Sequence, residues 1–297
     1  MSAGRRGGDL VMILKRFAAL ALCLPLLAGG AHAASSSKPQ RIVSLNMCLD
    51  ELAIRLADRE RVASVLWMSR DPLNSNVAEF AKKIPGNGGS AEEAVSFHPD
   101  LVLVGEFTSA MTKSMLKRVG MPIKEFGVPE NFDAVRAQIR EFGSVIGERE
   151  RADQMVENLD HELASVSYPA NAPKLKAIIL RPNGFTVGAG SLVDEILERA
   201  GLENLAARLK IGPYEQIPLE RIAMLGADIL IVNSEYSDEA ALATKGLKHP
   251  LIGALSERTR VVSLPSRLWT CAGPHLVDAV RLLQRETSDL RPQAVLP

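Results

Sequence analysis

The chain has 297 residues, 46% of them apolar and 24% charged, with basic and acidic groups in equal number. That length admits two domains of ordinary size, and that balance a core that needs no staples. A formal net charge of zero gives no footing for a nucleic-acid partner or an anionic membrane surface.

The N-terminus reads as separate from the fold. Basic Lys15 and Arg16, the apolar run from Phe17 to Leu27 and then Ala31, His32 and Ala33 have the order of a secretory signal peptide. The segment is residues 1–33, with cleavage after Ala33 and Met12 a better start than Met1. The run is too short for a membrane anchor. Leu22 stands before Cys23, where lipoprotein processing needs a small residue. Cleavage leaves 31 basic and 34 acidic residues, a net charge of −3, and two cysteines, Cys48 and Cys271. No later segment is apolar enough to cross a membrane, so a soluble protein outside the cytoplasm is expected.

The predicted elements alternate. "RIVSL" (41–45) is a strand, and "NMCLDELAIRLA" is a helix with apolar Leu49, Leu52, Ile54 and Leu56. "RVASVLW" (61–67) is a strand. "SAEEAVSF" starts a helix, with Ser90 as N-cap and Glu93 as its capping-box partner. "HPDLVLV" is a strand, "SAMTKSMLKRVG" a helix stopped by Gly120, and "MPIKEF" another strand. Residues 131–166 are helical, interrupted only around Gly143 to Glu148 and closed by Pro169 and Pro173. "LKAIIL" resumes the alternation, which runs to "RVVSL" (260–264) and the final helix "PHLVDAVRLLQRE". Strand–helix alternation implies parallel sheets covered by helices.

One design occurs twice. "EEAVSFHPDLVLV" (92–104) and "ERIAMLGADILIV" (220–232) each place an Asp eight residues after a Glu, then four aliphatic residues. The pattern is loose, but each copy sits at a similar place in its half. The expected fold is therefore α/β, with two similar lobes whose central, mostly parallel sheets are covered by helices. A long linker helix joins them, leaving a ligand cleft between. The expected division is 34–140 for the first lobe, 141–170 for the linker and 171–297 for the second lobe.

"RIVSLNMCLDELAIRLA", "GSAEEAVSFHPDLVLV", "GMPIKEF", "GAGSLVDEILERAGLENLA" and "PLERIAMLGADILIV", in that order, resemble the substrate-binding proteins of ABC importers. The subgroup is the one with a rigid helical linker that captures cobalamin, haem and iron–siderophore complexes. The likeness is nearest to its cobalamin-binding members and runs from about residue 40 to 290. It implies a periplasmic monomer that clamps a metal-chelate small molecule between its lobes, with little hinge motion, and delivers it to a membrane permease. A corrinoid is the ligand favoured, with a ferric siderophore or haem as the alternative. The resemblance also places one docking carboxylate on each lobe, at Glu92 and Glu220, facing arginines of the permease. The competing reading is that both only satisfy helix dipoles, and Glu93 is a candidate in place of Glu92.

Open α/β sheets bind ligands at the carboxyl ends of their strands. The residues there are Asn46, Met47 and Cys48, then Trp67 and Arg70, then Glu106 and Phe107. In the second half they are Arg181 and Asn183, then Tyr214, then Arg267, Trp269 and Cys271. Trp67 and Trp269 are the only tryptophans of a chain with 4% aromatics, and a flat macrocycle needs such faces. Arg70, Arg181 and Arg267 suit its carboxylate, amide or phosphate groups. For Cys48 and Cys271 three readings stand: free thiols, a cross-lobe bridge that would shut the cleft, or metal contact. The last rests on Cys271 and His275 being four apart, with Met47 beside Cys48. No metal site and no cofactor are assigned. No G-x-S-x-G, H-E-x-x-H, P-loop or G-x-G-x-x-G follows a strand, and the pairs Asp50–Glu51 and Glu92–Glu93 point apart on their helices. No catalytic residue is therefore expected.

Overall fold

Short apolar runs form strands buried on both faces, which is what helices on either side of a parallel sheet demand. In the computed structural model, residues 38–233 and 258–291 are described. The expected signal peptide, with Met12 and Cys23, lies outside them. The strands are β1 (Ile42–Ser44), β2 (Val62–Leu66), β3 (Gly86–Asn87), β4 (Leu101–Gly105), β5 (Ile123–Phe126), β6 (Leu175–Leu180), β7 (Phe185–Thr186), β8 (Leu202–Asn204), β9 (Glu215–Gln216), β10 (Ile229–Asn233) and β11 (Arg260–Leu264). The helices are α1 (Met47–Leu56), α2 (Ala78–Ala81), α3 (Ala91–Ser96), α4 (Ala110–Arg118), α5 (Phe132–Ile146), α6 (Arg149–Ser165), α7 (Leu192–Arg199), α8 (Leu205–Arg208), α9 (Leu219–Met224) and α10 (Leu276–Glu286). None is long and apolar enough to cross a membrane among the described residues.

The strands form two parallel sheets, in the orders β3-β2-β1-β4-β5 and β11-β10-β6-β8, with β7 and β9 as a small antiparallel pair. Each sheet with its helices is one lobe. Alternate side chains of each strand serve different cores. Leu101 and Leu103 of β4, with Ile229 and Ile231 of β10, enter one core shared by both lobes and the helices between. Val102 and Val104 turn to α3 and α4, and Leu230 turns to α8 and α9.

The segment between the lobes is a pair of helices. Gly147, with φ 75°, ends α5 in the left-handed conformation that glycine adopts at least cost. The chain then turns back, and Arg136 meets Asp160 at 2.6 Å while Arg140 meets Asp153 at 3.2 Å, so α5 and α6 lie antiparallel. At the junction buried Glu148 accepts from Lys38 at 3.0 Å and also from Arg61.

The repeated sequence design is a repeated structure. In the first lobe the Asp100 carboxylate accepts the backbone N–H groups of Gln40 and Arg41 at 2.6 and 2.8 Å. Its own N–H donates to the Arg41 carbonyl at 3.1 Å. In the second lobe Asp228 accepts from Lys176 N–H at 2.7 Å and donates to the Lys176 carbonyl at 2.9 Å. Each Asp thus sets the pairing of its lobe's innermost strands just before the ladder begins, at Ile42 opposite Leu101 and at Ala177 opposite Ile229. Glu92 and Glu220 both occupy the second position of their helices, after Ser90 and Pro218.

Asp100→Ala and Asp228→Ala should each lower stability by about 1–2 kcal/mol, Asp100 more because it holds two N–H groups, and the losses should add in the double variant. Urea midpoints followed by circular dichroism measure this; losses that fail to add would show that the two clamps are not independent.

Candidate ligand-binding site

In an open parallel sheet a ligand site forms where the strand order reverses direction, outside the carboxyl ends. The first sheet reverses between β1 and β4, and the second between β6 and β10. The residues that follow are Asn46 to Cys48, Glu106 and Phe107 in one lobe, and Arg181 in the other.

The start of α1 is closely fixed. The Asn46 side chain caps the helix, accepting from Cys48 and Leu49 N–H at 2.9 and 3.1 Å. A side chain at Gly105 would collide with the Asn46 amide and displace the cap. Cys48 is joined to Cys271 by a disulfide across the lobes, which decides among the three sequence readings. The metal reading falls with it. His275 is buried and spends its ring nitrogens on the Cys271 carbonyl and Glu51, both at 2.9 Å. Among the described residues no group of three or more His, Cys, Asp or Glu is placed to hold a metal. Nor does the bridge cover the aromatic faces expected of the cleft: Trp67, Phe107 and Tyr214 are 60%, 85% and 61% exposed.

The bridge belongs to a seam between the lobes. Beside it Asn76 donates to the Arg267 carbonyl at 2.6 Å, and the Arg267 guanidinium returns a bond to the Asn76 amide oxygen at 3.1 Å. Burial works to raise the Glu51 pKa, but His275 and Arg55 outweigh it and hold the carboxyl below its usual range. Asp50, one residue earlier, faces its own lobe. Its carboxylate accepts from Leu66 N–H at 2.9 Å and from the Ser69 hydroxyl. Burial pushes it up to about 7, against the hydrogen bonds of Ser44, Ser69 and Leu66. Its contribution to stability is therefore full below about 3.8, the ordinary value, and is lost as pH rises through about 7.

The other sequence-predicted residues divide. Trp67 and Arg70 open and close a 3-10 turn after β2, both exposed, and Arg70 reaches the Lys82 carbonyl at 3.3 Å. Met47 is half-buried in the first turn of α1. Asn183 is exposed at φ 61°, a turn conformation that Asn tolerates better than most residues. Arg181 donates to the Tyr214 hydroxyl, and its guanidinium lies 5.4 Å from the Tyr214 ring centre and 4.8 Å from that of Trp269. Trp269 differs from the expectation of an open stacking face: it is 3% exposed, packed in the shared core with Arg181 over it. Cys271 is buried beside it.

On the outer surface Glu93 spends its carboxylate on Gly88 N–H at 2.7 Å, in place of the Ser90 N–H that a capping box supplies. Ser90 still caps Glu93 N–H at 3.2 Å. Glu92 and Glu220 are exposed and have no side-chain partner among the described residues, so Glu92 is the better docking candidate of its pair. A cavity of about 400 Å³ lined by Leu175, Asp228, Arg258, Thr259, Arg260, Val261 and Leu290 lies at the amino ends of the second sheet. It is at the opposite end of the strands from all these residues.

Sequence reasoning missed Asn76, Ser69 and the separate tasks of Asp50 and Glu51. The divergence of the Asp50–Glu51 pair and the spacing of His275 from Cys271 were the available signals. Asn76 had none.

The periplasmic binding protein family model matches residues 42–255. The uncharacterized ABC transporter substrate-binding lipoprotein YvrC of Bacillus subtilis (strain 168) is 25% identical over 256 residues, covering 83% of this chain and 79% of that protein. A cobalamin-binding protein of Halobacterium salinarum is 22% identical over 218 residues, 70% of this chain, and the match spans 58% of that protein's length. Among solved structures, the periplasmic heme-binding protein RhuT from Roseiflexus sp. RS-1 in apo form is similar, with a TM-score of 0.71 and 24% identity over 84% of this chain and 98% of that one. At that identity the likeness is one of fold.

Replacing the bridge by Cys48→Ser with Cys271→Ser should lower stability by about 2–5 kcal/mol, as reduction of the wild type should. Urea midpoints with and without a thiol reductant measure both; a wild type indifferent to the reductant would show that the bridge carries no load.

Proposed function

We propose that this chain, which belongs to the periplasmic binding protein family, is an exported solute-binding component of an ABC importer that captures a corrinoid and hands it to a membrane permease. The observation that carries the ligand class is the set of exposed aromatic rings, Trp67 and Phe107 after β2 and β4 on one lobe and Tyr214 on the other, ahead of β9 and bonded to Arg181 at the carboxyl end of β6. Exposed rings of this size are costly in water unless something covers them, and a flat macrocycle is the shape that does so. Arg70 and Arg181 stand among them as donors for its polar substituents. Met47, Asn183, Arg267 and the bridged Cys48 and Cys271 then form the surround, and Trp269 supports Arg181 from below. The division 34–140, 141–170 and 171–297 suits this reading, and so does a monomer, since each lobe supplies one wall.

Haem is the second reading, favoured by one contact. The Arg181–Tyr214 hydrogen bond holds a phenol oxygen at the mouth of the site, and tyrosine is a known protein ligand of haem iron.

Titration with cyanocobalamin should give a one-to-one complex and raise the melting temperature by mass action, with Trp67→Ala weakening it by about 0.5–1.5 kcal/mol while the fold persists. No heat and no melting shift with cyanocobalamin, beside a clear shift with hemin or a ferric hydroxamate, would reverse the order of ligands.

Glu92 and Glu220 are proposed as the docking carboxylates, each facing a permease arginine. An exposed carboxylate contributes roughly 0–1 kcal/mol to a monomer but far more in a desolvated contact. Glu92→Lys with Glu220→Lys should leave melting and ligand affinity nearly unchanged and abolish ligand uptake and stimulation of the transporter ATPase, with single reversals intermediate. Uptake that survives in the double variant would reduce both residues to helix-terminal carboxylates.

A further inference from the structure

Asp50 is a fully buried carboxylate with no cation acting on it among the described residues. The groups that act on it are Ser44 from β1, the Leu66 N–H at the end of β2 and Ser69 in the turn that follows. Glu51, its chain neighbour, is turned to His275 and Arg55. Both of the Asp50 bonds recorded to the turn converge on one oxygen, Leu66 N–H at 2.9 Å and the Ser69 hydroxyl. Leu66 is the cap of the turn Trp67–Arg70, and Ser69 lies inside it. One oxygen therefore grips the chain on both sides of Trp67 and Met68. The Trp67 ring is mostly exposed, so packing does little to aim it, and the backbone of the turn sets where it points. Asp50 itself is held by α1, whose first turn is capped by Asn46 and bonded to the other lobe through Cys48.

We propose that Asp50 is the positioning residue of the ligand site: anchored by α1 at the seam, its carboxylate holds the turn so that the Trp67 face is presented to the ligand. The inference rests on the proposed function only in taking Trp67 to meet the ligand. Hydrogen bonds to a carboxylate are about twice as strong as those to a neutral acceptor, so the grip tightens as the carboxyl ionises. Ser44, Ser69 and the Leu66 N–H do not titrate, so of the groups in this contact only the Asp50 carboxyl can change its charge with pH.

Asp50→Asn keeps the size of the side chain and removes its charge. Its affinity for cyanocobalamin should fall about 2- to 10-fold, the loss expected of one stacked face and the same as for Trp67→Ala. The double variant Asp50→Asn with Trp67→Ala should bind no more weakly than Trp67→Ala alone. A second arm needs no ligand. Iodide reaches the exposed Trp67 and not the buried Trp269, so quenching reports the turn. In the wild type it should increase as pH falls from about 8 to about 6, the range around neutrality in which the carboxyl takes up its proton. In Asp50→Asn it should be high and flat with pH. Losses of affinity that add across the two sites, or a quenching profile unchanged in Asp50→Asn, would overturn the proposal. Failure to bind cyanocobalamin would sink the corrinoid reading and leave the quenching arm to decide for Asp50. Should Asp50→Asn not fold, Ser69→Ala removes one of the two donors and should raise quenching at about pH 8 and shrink its change with pH; quenching and pH profile equal to wild type would overturn the proposal.

Discussion

The bond between Cys48 and Cys271 fixes the start of α1 against the segment after β11, and the other cross-lobe contacts of the seam are arranged around that point. Glu51 and His275 form a buried polar pair beside it, and Asn76 and Arg267 exchange hydrogen bonds next to that. A buried pair of this kind is weak evidence for stability in itself, because desolvation offsets much of its attraction. It does join the two lobes, however, through side chains 224 residues apart in sequence. The covalent bond holds them at the same seam. With α6 already joining the lobes, they are connected at two places.

The two lobes solve one problem in the same way and then diverge. Asp100 and Asp228 clamp the same backbone position of the neighbouring strand, and the aliphatic residues after them split between the shared core and the outer helices in the same alternation. The helix before each differs in its cap, Ser90 in one and Pro218 in the other. The strand-end loops differ more: Trp67 and Phe107 on one side, Arg181 with Tyr214 on the other. Framework positions repeat because sheet geometry constrains them, whereas loop positions are free to take up chemistry.

What the sequence revealed follows from that distinction. The strands, the major helices and the parallel sheets were legible because period and caps are local properties. The cap at Ser90 was legible too, though not that Glu93 would choose Gly88 as its partner. The broken helical stretch near Gly147 was visible as an interruption, but not as a reversal, since that depends on Arg136 and Arg140 meeting Asp160 and Asp153. The state of the cysteines was undecidable, because residues 223 apart pair only when both sheets are placed. Trp67 and Trp269 read alike as strand-end tryptophans. One ends in solvent and the other under Arg181, a difference set by what packs above each loop.

The distance in sequence between Cys48 and Cys271 has a consequence for how the molecule comes into being. Cys48 follows the first strand, and its partner lies 223 residues later, so that length of chain must emerge before the two sulfurs can meet. The first sheet is complete by Phe126, long before that. During this interval Cys48 is a lone thiol on a half-made protein in an oxidising setting, open to capture by a second chain. The start of α1, which the finished molecule holds by the Asn46 cap and the bridge, is thus a place that assembly leaves open until late.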